Sequence, residues 1–307
     1  MAEVPTSGPV MATARRSFWF SGKGAVAGIP YLWLFVFFLV PFAIVFRISL
    51  SEPLIAQPPY SPLFGVDGSY QGSFFNYQLL FEDALFRAAY LNSLWVAGIS
   101  TLVTLLVGYP MAYVIARARP LVRNLLLMAV MLPFWSSFLL RVYALKTLMA
   151  DTGLVNGLLL NFGLIDAPIR MLQTDFALYV GISYTYLPFM ILPLYATLER
   201  LDWSLVEAAE DLGCRSWKAF LLVTLPLSVP GIIAGAMLVF IPATGEFVIP
   251  NMLGASDTLM IGRVLWDTFF SERDWTLASA LAVILLLLLV MPIMLFQIAE
   301  SRREEGA

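Results

Sequence analysis

Six long apolar stretches recur along the chain, at about Ile29 to Leu50, Leu91 to Ala116, Asn124 to Met149, Phe176 to Leu198, Leu221 to Ala243 and Leu277 to Ile298. Crossing a hydrocarbon layer of roughly 30 Å takes about 20 apolar residues in a helix, and each stretch is long enough. With 60% of 307 residues hydrophobic and only 13% charged, the chain carries more apolar surface than one soluble core can bury. The expectation is an all-α, polytopic membrane bundle of six transmembrane helices over residues 29–299, flanked by cytoplasmic segments 1–28 and 300–307.

Charge placement orients the bundle. Arg15, Arg16 and Lys23 precede the first stretch; Arg117, Arg119 and Arg123 separate the second from the third; Arg200, Arg215 and Lys218 separate the fourth from the fifth; Arg302 and Arg303 follow the sixth. Lysine and arginine accumulate on the cytoplasmic side, so both termini are expected inside. No small-residue cleavage site closes the first apolar run, which reads as an uncleaved span. The connections Ser51 to Tyr90, Ala150 to Asp175 and Thr244 to Thr276 then face outward, and acids such as Glu52, Asp151, Asp175, Glu246 and Asp257 outnumber bases there. Depletion of lysine and arginine from outer loops leaves such an excess as a by-product of topology. A negative mouth that concentrates cations is the other reading. In the first outer connection, Pro58-Pro59, Gly65, Gly68 and Gly72 signal turns.

Whole classes of chemistry are missing. There is no histidine, and Cys214 is the only cysteine, which removes most metal sites, histidine triads and any internal disulfide. A membrane enzyme would need a convergent nucleophile and base, and no GxSxG is present. A secondary transporter would carry acids near span midpoints and an internal repeat, and neither is visible. Nor is there a GxxxxGK[ST] phosphate loop, so any ATPase must be a separate polypeptide.

Prolines interrupt nearly every stretch: Pro41, Pro110, Pro133, Pro188, Pro193, Pro226, Pro230, Pro242 and Pro292. Each removes an amide donor and tends to bend its helix, as suits a bundle curved around a pathway. Gly231 and Gly235 give the fifth stretch a small-residue face for close helix approach.

Between the fourth and fifth stretches lies the polar run Ser204-Leu205-Val206-Glu207-Ala208-Ala209-Glu210-Asp211-Leu212-Gly213. Ser204 and Glu207 have the spacing of a capping box, and Gly213 can adopt the left-handed conformation that stops a helix. A two-turn cytoplasmic helix is predicted, with bulk-free Ala208 and Ala209 and apolar Leu205 and Leu212 available to a partner. Ser216 is placed to cap the following turn. The bland alternative is a solvated loop helix on the membrane surface.

This run resembles the coupling segment of ABC importer permeases, whose pattern is Glu-Ala-Ala, three residues, Gly, then about nine residues to Ile-x-Leu-Pro. Here the end reads Val223-Thr224-Leu225-Pro226, with valine for the usual isoleucine. Further segments, including Pro133 to Ala144, Val239 to Pro250 and Met260 to Trp266, resemble permeases of bacterial spermidine/putrescine importers, most closely the first permease of the putrescine system. The likeness runs from Pro30 to Phe296. It implies the type I ABC importer permease fold and a non-catalytic subunit. It also implies a homologous second permease, an ATPase dimer that binds ATP and Mg, and a periplasmic polyamine-binding protein; lipid surrounds the chain and no nucleic acid is involved. Ser204, Glu207, Ala208, Ala209, Gly213, Leu225 and Pro226 are then the expected ATPase-coupling residues.

A polyamine needs carboxylates or carbonyls for its ammonium groups and aromatic faces along its length. Glu246, after the fifth span, is a candidate outer-gate acid; an ion pair with Arg141 or Arg263 is the competing reading. Trp135 and Tyr143 are candidates to line the path, or else packing and interfacial anchors. Arg141 and Lys146, toward the outer end of the third stretch, would hold an acid in a closed gate or contact the binding protein.

Overall fold

The computed structural model describes residues 22–65, 67–255 and 257–305. Arg15 and Arg16 lie outside the described residues. Apart from two isolated antiparallel bridges, Pro53 to Tyr60 and Phe64 to Tyr70, which order the first outer connection, the described chain is helical or irregular.

The first span, α1, starts at Gly22–Leu34 and continues through a π turn, Phe35–Leu39, into Val40–Ser49. Pro41 cannot donate to the carbonyl one turn back and its ring crowds it, and the widened turn absorbs the misfit. The short α2 (Phe75–Glu82) follows, then α3 (Ala84–Arg117), which starts earlier than the apolar stretch because Asp83 caps it, its carboxylate accepting the Leu85 amide at 2.8 Å.

The third apolar stretch is not one straight helix. It divides into α4 (Pro120–Met131), a 3-10 turn Leu132–Trp135, and α5 (Phe138–Met149), followed by α6 (Leu154–Asn161). The two arms, Pro120–Trp135 and Phe138–Asn161, meet at 96°. Pro133 forbids a continuous ladder, and Ser136 closes the corner by donating both its amide (3.2 Å) and its hydroxyl (2.7 Å) to the Pro133 carbonyl. The bend explains how Arg141 and Lys146 occur in so apolar a stretch: both lie on the second arm, turned away from the axis of the first, and Lys146 is exposed.

Next come α7 (Asp175–Glu199), α8 (Ser204–Asp211) and α9, which runs from Ser216–Ala219 through a π turn, Phe220–Thr224, into Leu225–Thr244. The π turn again ends two residues before a proline, Pro226. At the end of the bundle away from α8 come α10 (Val248–Leu253) and α11 (Ile261–Trp266, with a π turn Asp267–Ser271), and α12 (Trp275–Glu305) follows. Residues 300–305 continue this helix. By length and composition four described helices suffice to cross a membrane, five if the bent pair counts as one, and the shorter apolar stretch Trp275–Met291 lies in α12.

The core is a three-helix wedge of α3, α7 and α9. Its centre is α7, where Leu178, Ile182, Met190, Ile191, Leu194 and Leu198 are wholly buried. The close approach comes from missing side chains. A Cβ on Gly235 would sit 2.8 Å from Met190 Sδ and 3.0 Å from its carbonyl, and one on Gly231 would meet Thr197 Oγ1 at 2.5 Å. The small-residue face therefore packs on α7. A second cluster, with Leu80, Phe86, Ile261 and Leu281, joins α2, α3, α11 and α12 at the outer end. There Ser93 Oγ accepts the Ile261 amide at 2.7 Å and Tyr90 donates to the Leu281 carbonyl at 2.7 Å.

Candidate functional site: a short polar helix and a buried carboxylate

The polar run forms the predicted helix, but its start is built differently. The capping box is absent: Ser204 is the first helical residue, and no side-chain cap bond from it to the helix is present. Instead Asp202 Oδ1 accepts the Ser204 amide at 3.0 Å, while the Trp203 carbonyl takes the Val206 and Glu207 amides at 3.0 and 3.2 Å. Asp202 meets the first orphan donor two residues on, as short carboxylates do in turns, and leaves nothing for Ser204 and Glu207 to cap reciprocally. Hydrogen bonding to Ser204 holds the Asp202 carboxyl below its ordinary range.

The end is as expected. Gly213 has φ +87°, its amide bonds to the Glu210 carbonyl at 2.8 Å, and the Cys214 amide bonds to the Ala209 carbonyl at 3.0 Å. This paired closure is a Schellman motif and needs a left-handed residue at that position. Ser216 does not cap the next turn: it is the first helical residue and Arg215 precedes it as the cap position. The helix stands proud of the bundle, with Glu207, Ala208 and Leu212 exposed and Ala209 half-buried. Leu225 and Pro226 sit in the first turn of α9 that follows the π turn, Leu225 half-buried and Pro226 exposed.

Behind α8 lies a cavity of about 260 Å³ lined by Tyr113, Arg117, Trp203, Glu207, Glu210 and Phe220 among others. Arg117 stacks over the rings of Tyr113 (5.6 Å) and Trp203 (5.2 Å) and donates to the Tyr113 hydroxyl at 3.0 Å. Tyr113 meets Trp203 and Phe220 edge to face. Beside it, Arg123 pairs with Glu199 at 2.8 Å. Nothing in the sequence pattern grouped these residues, because they come from three helices and the loop before α8.

At the opposite end, Glu246 is buried. Its Oε1 accepts the amides of Phe247 (3.2 Å), Val248 (3.0 Å) and Ile249 (3.5 Å), and its Oε2 accepts the Tyr186 hydroxyl. The carboxylate thus starts α10 and anchors it to α7. The predicted ion pair with Arg141 is not formed: that guanidinium lies 5.0 Å over the Phe134 ring, with Nε buried and unpartnered. Arg263 ion-pairs with Asp267 at 3.9 Å. Trp135 is 90% exposed at the corner of the bend and Tyr143 is also exposed, so neither packs in the bundle.

The face expected to lie outside is not uniformly acidic. Lys146, Arg170 and Arg263 gather around Asp151 in one depression of about 640 Å³. A second, of about 520 Å³, holds Asp175 and Asp257 with Trp95 and Tyr179. The sequence reading counted these acids but could not place them together.

The described residues thus form an all-α wedge with a short protruding helix between two of its core helices. Residues 104–304 match the binding-protein-dependent transport system inner membrane component family, and the chain belongs to it. It is accordingly a non-catalytic inner-membrane component of a binding-protein-dependent importer. Within the family it is similar to the spermidine/putrescine transport system permease protein PotB of Haemophilus influenzae, 39% identical over 87% of this chain and 90% of that one. PotB of Escherichia coli is 40% identical over 70% of this chain and 78% of its own length. The fold matches a chain in the crystal structure of a bacterial ABC transporter that imports the acidic polysaccharide alginate, with TM-score 0.66 and 19% identity over 91% of this chain and 94% of that one.

Proposed function

We propose that this chain is one of two homologous permeases through which a polyamine, putrescine or spermidine, enters the cytoplasm, driven by a separate pair of ATPase subunits that bind ATP and Mg. The observation that carries the substrate class is the 39–40% identity to two permeases named for spermidine and putrescine. The depression with Asp175, Asp257, Trp95 and Tyr179 supports it, since carboxylates beside aromatic faces suit an ammonium chain. A periplasmic binding protein delivers the substrate to the outer face, where Lys146, Arg170 and Arg263 suit a carboxylate of that protein better than a cationic cargo. Both termini are cytoplasmic.

The coupling residues are Ser204, Glu207, Ala208, Ala209, Gly213, Leu225 and Pro226. A rigid helix fixed at both ends can tilt as a body when nucleotide draws the ATPase pair together, and the adjoining α7 and α9 follow. Closure opens the pathway outward, and hydrolysis resets it inward. On the path, Trp135 and Tyr143 offer exposed rings. Glu246 acts by holding α10 against α7, with Arg141 close by at the bend.

The test is ATP hydrolysis by the reconstituted complex with binding protein carrying putrescine, spermidine or nothing. Loaded protein is expected to stimulate hydrolysis above the empty one. Equal stimulation by a binding protein loaded with an unrelated solute overturns the polyamine assignment.

A further inference from the structure

Two core helices reach the lever α8 through the chain itself: α7 through residues 200–203 and α9 through residues 212–215. The third, α3, has no such connection, and its backbone makes no hydrogen bond to α8 among the described residues. What joins them is the ring cluster around Arg117. We infer that Arg117 is a positioning residue that fastens the cytoplasmic end of α3 to the lever, so that all three core helices turn when α8 is moved; this rests on the reading of α8 as the ATPase lever.

The geometry supports a rigid tie. Trp203 is part of the start of α8, because its carbonyl accepts the amides of Val206 and Glu207. Its ring is therefore fixed to the helix. Arg117 belongs to the last turn of α3, where a cation is favoured by the helix dipole. Its planar guanidinium reaches both the Trp203 and Tyr113 rings while one amino group bonds to the Tyr113 hydroxyl. A lysine ammonium could keep the charge but not the flat double contact. On the other flank Tyr113 packs edge-on against Phe220, which opens the π turn of α9 at a centroid distance of 5.8 Å. The cluster closes a triangle of α3, α8 and α9. Without it, motion of the lever reaches α3 only indirectly, through α7 and α9, by mostly apolar faces with two side-chain bonds deeper in the bundle, Tyr109 to Ser228 at 2.8 Å and Ser183 to the Ser100 carbonyl at 3.4 Å.

The experiment uses the full complex in proteoliposomes, with this chain, its second permease, the ATPase pair and putrescine-loaded binding protein, and reads radiolabelled putrescine uptake and ATP hydrolysis in the same vesicles. Arg117→Ala and Trp203→Leu are expected to keep ATP hydrolysis and to lower putrescine imported per ATP by about five-fold or more, the scale of ordinary coupling between sites. Because the two residues share one contact, the double variant should lose no more than the worse single one. Arg117→Lys should fall between. Arg119→Ala, which removes the same charge outside the ring cluster, should couple as the unaltered chain does. If Arg117→Ala does not assemble, Arg117→Lys and Trp203→Phe carry the same readout. Uptake and hydrolysis falling in proportion, an unchanged yield per ATP, or additive losses overturn the inference while leaving the function intact. An unaltered complex that hydrolyses ATP and imports no putrescine overturns the functional reading, and this inference with it.

Discussion

Glu246 shows how far one side chain can organise the outer end of the bundle. Its carboxylate takes three successive amides at the start of α10 and the hydroxyl of Tyr186 on α7. Glu246→Ala strands those donors in a buried site, and the expected loss is about 1–3 kcal/mol in denaturant unfolding of the detergent-solubilised chain. Glu246→Gln, which still offers an oxygen, should lose less than half of that, and combining Glu246→Ala with Tyr186→Phe should be less than additive. Gly213 makes a second prediction. A β-branched residue at φ +87° costs roughly 1–2 kcal/mol of local backbone strain, so Gly213→Val should weaken retention of the ATPase on co-purification without changing the amount of chain in the membrane. Retention equal to that of the unaltered chain would count against a coupling role for the α8 terminus. Of these features Gly213 was legible from sequence, because the left-handed stop is a single-residue requirement. The start of the helix was not: Trp203 holds the cap position with no side-chain bond of its own, and Asp202 before it takes the Ser204 amide, an arrangement only the backbone path decides.

At the scale of elements, the long helices α3, α7 and α9 follow the apolar stretches closely, because only a helix satisfies its own backbone over such a length in a membrane. The third stretch hides a sharp bend. Composition carries no sign of direction, and its Pro133 and Ser136-Ser137 break is short enough to hide in an apolar run. The short outer helices α2, α6, α10 and α11 went unseen since each has 8 residues or fewer and lies in a mixed-polarity connection. The glycine face of α9 was visible, while its partner was not. That packing is tight enough to test: Gly235→Val should shift α9 off Met190 and cost about 1–3 kcal/mol, read as a lowered thermal midpoint in detergent. The same change at Gly28, around which a Cβ would find open space, should be close to neutral.

For the whole molecule, the proposed coupling role depends on α8 meeting another protein. Leu212 is 90% exposed and Leu205 half-exposed on this helix, apolar surface that the chain alone does not cover. Backbone hydrogen exchange over residues 204–213 is therefore expected to slow when the ATPase pair is added to the permease pair, and to change again with ATP. No change over that segment would leave the lever without its engine. The cluster around Arg117 was invisible in the sequence because it joins residues 113, 117, 203 and 220, whose proximity only the folded chain creates.

The most deeply buried of the long helices, α7, is also the one that runs straight into the segment leading to α8. On the proposed coupling role of α8, a push delivered there enters the bundle at its most buried rod, packed between α3 and α9. A tilt arriving on it meets both neighbours at once, one on each flank.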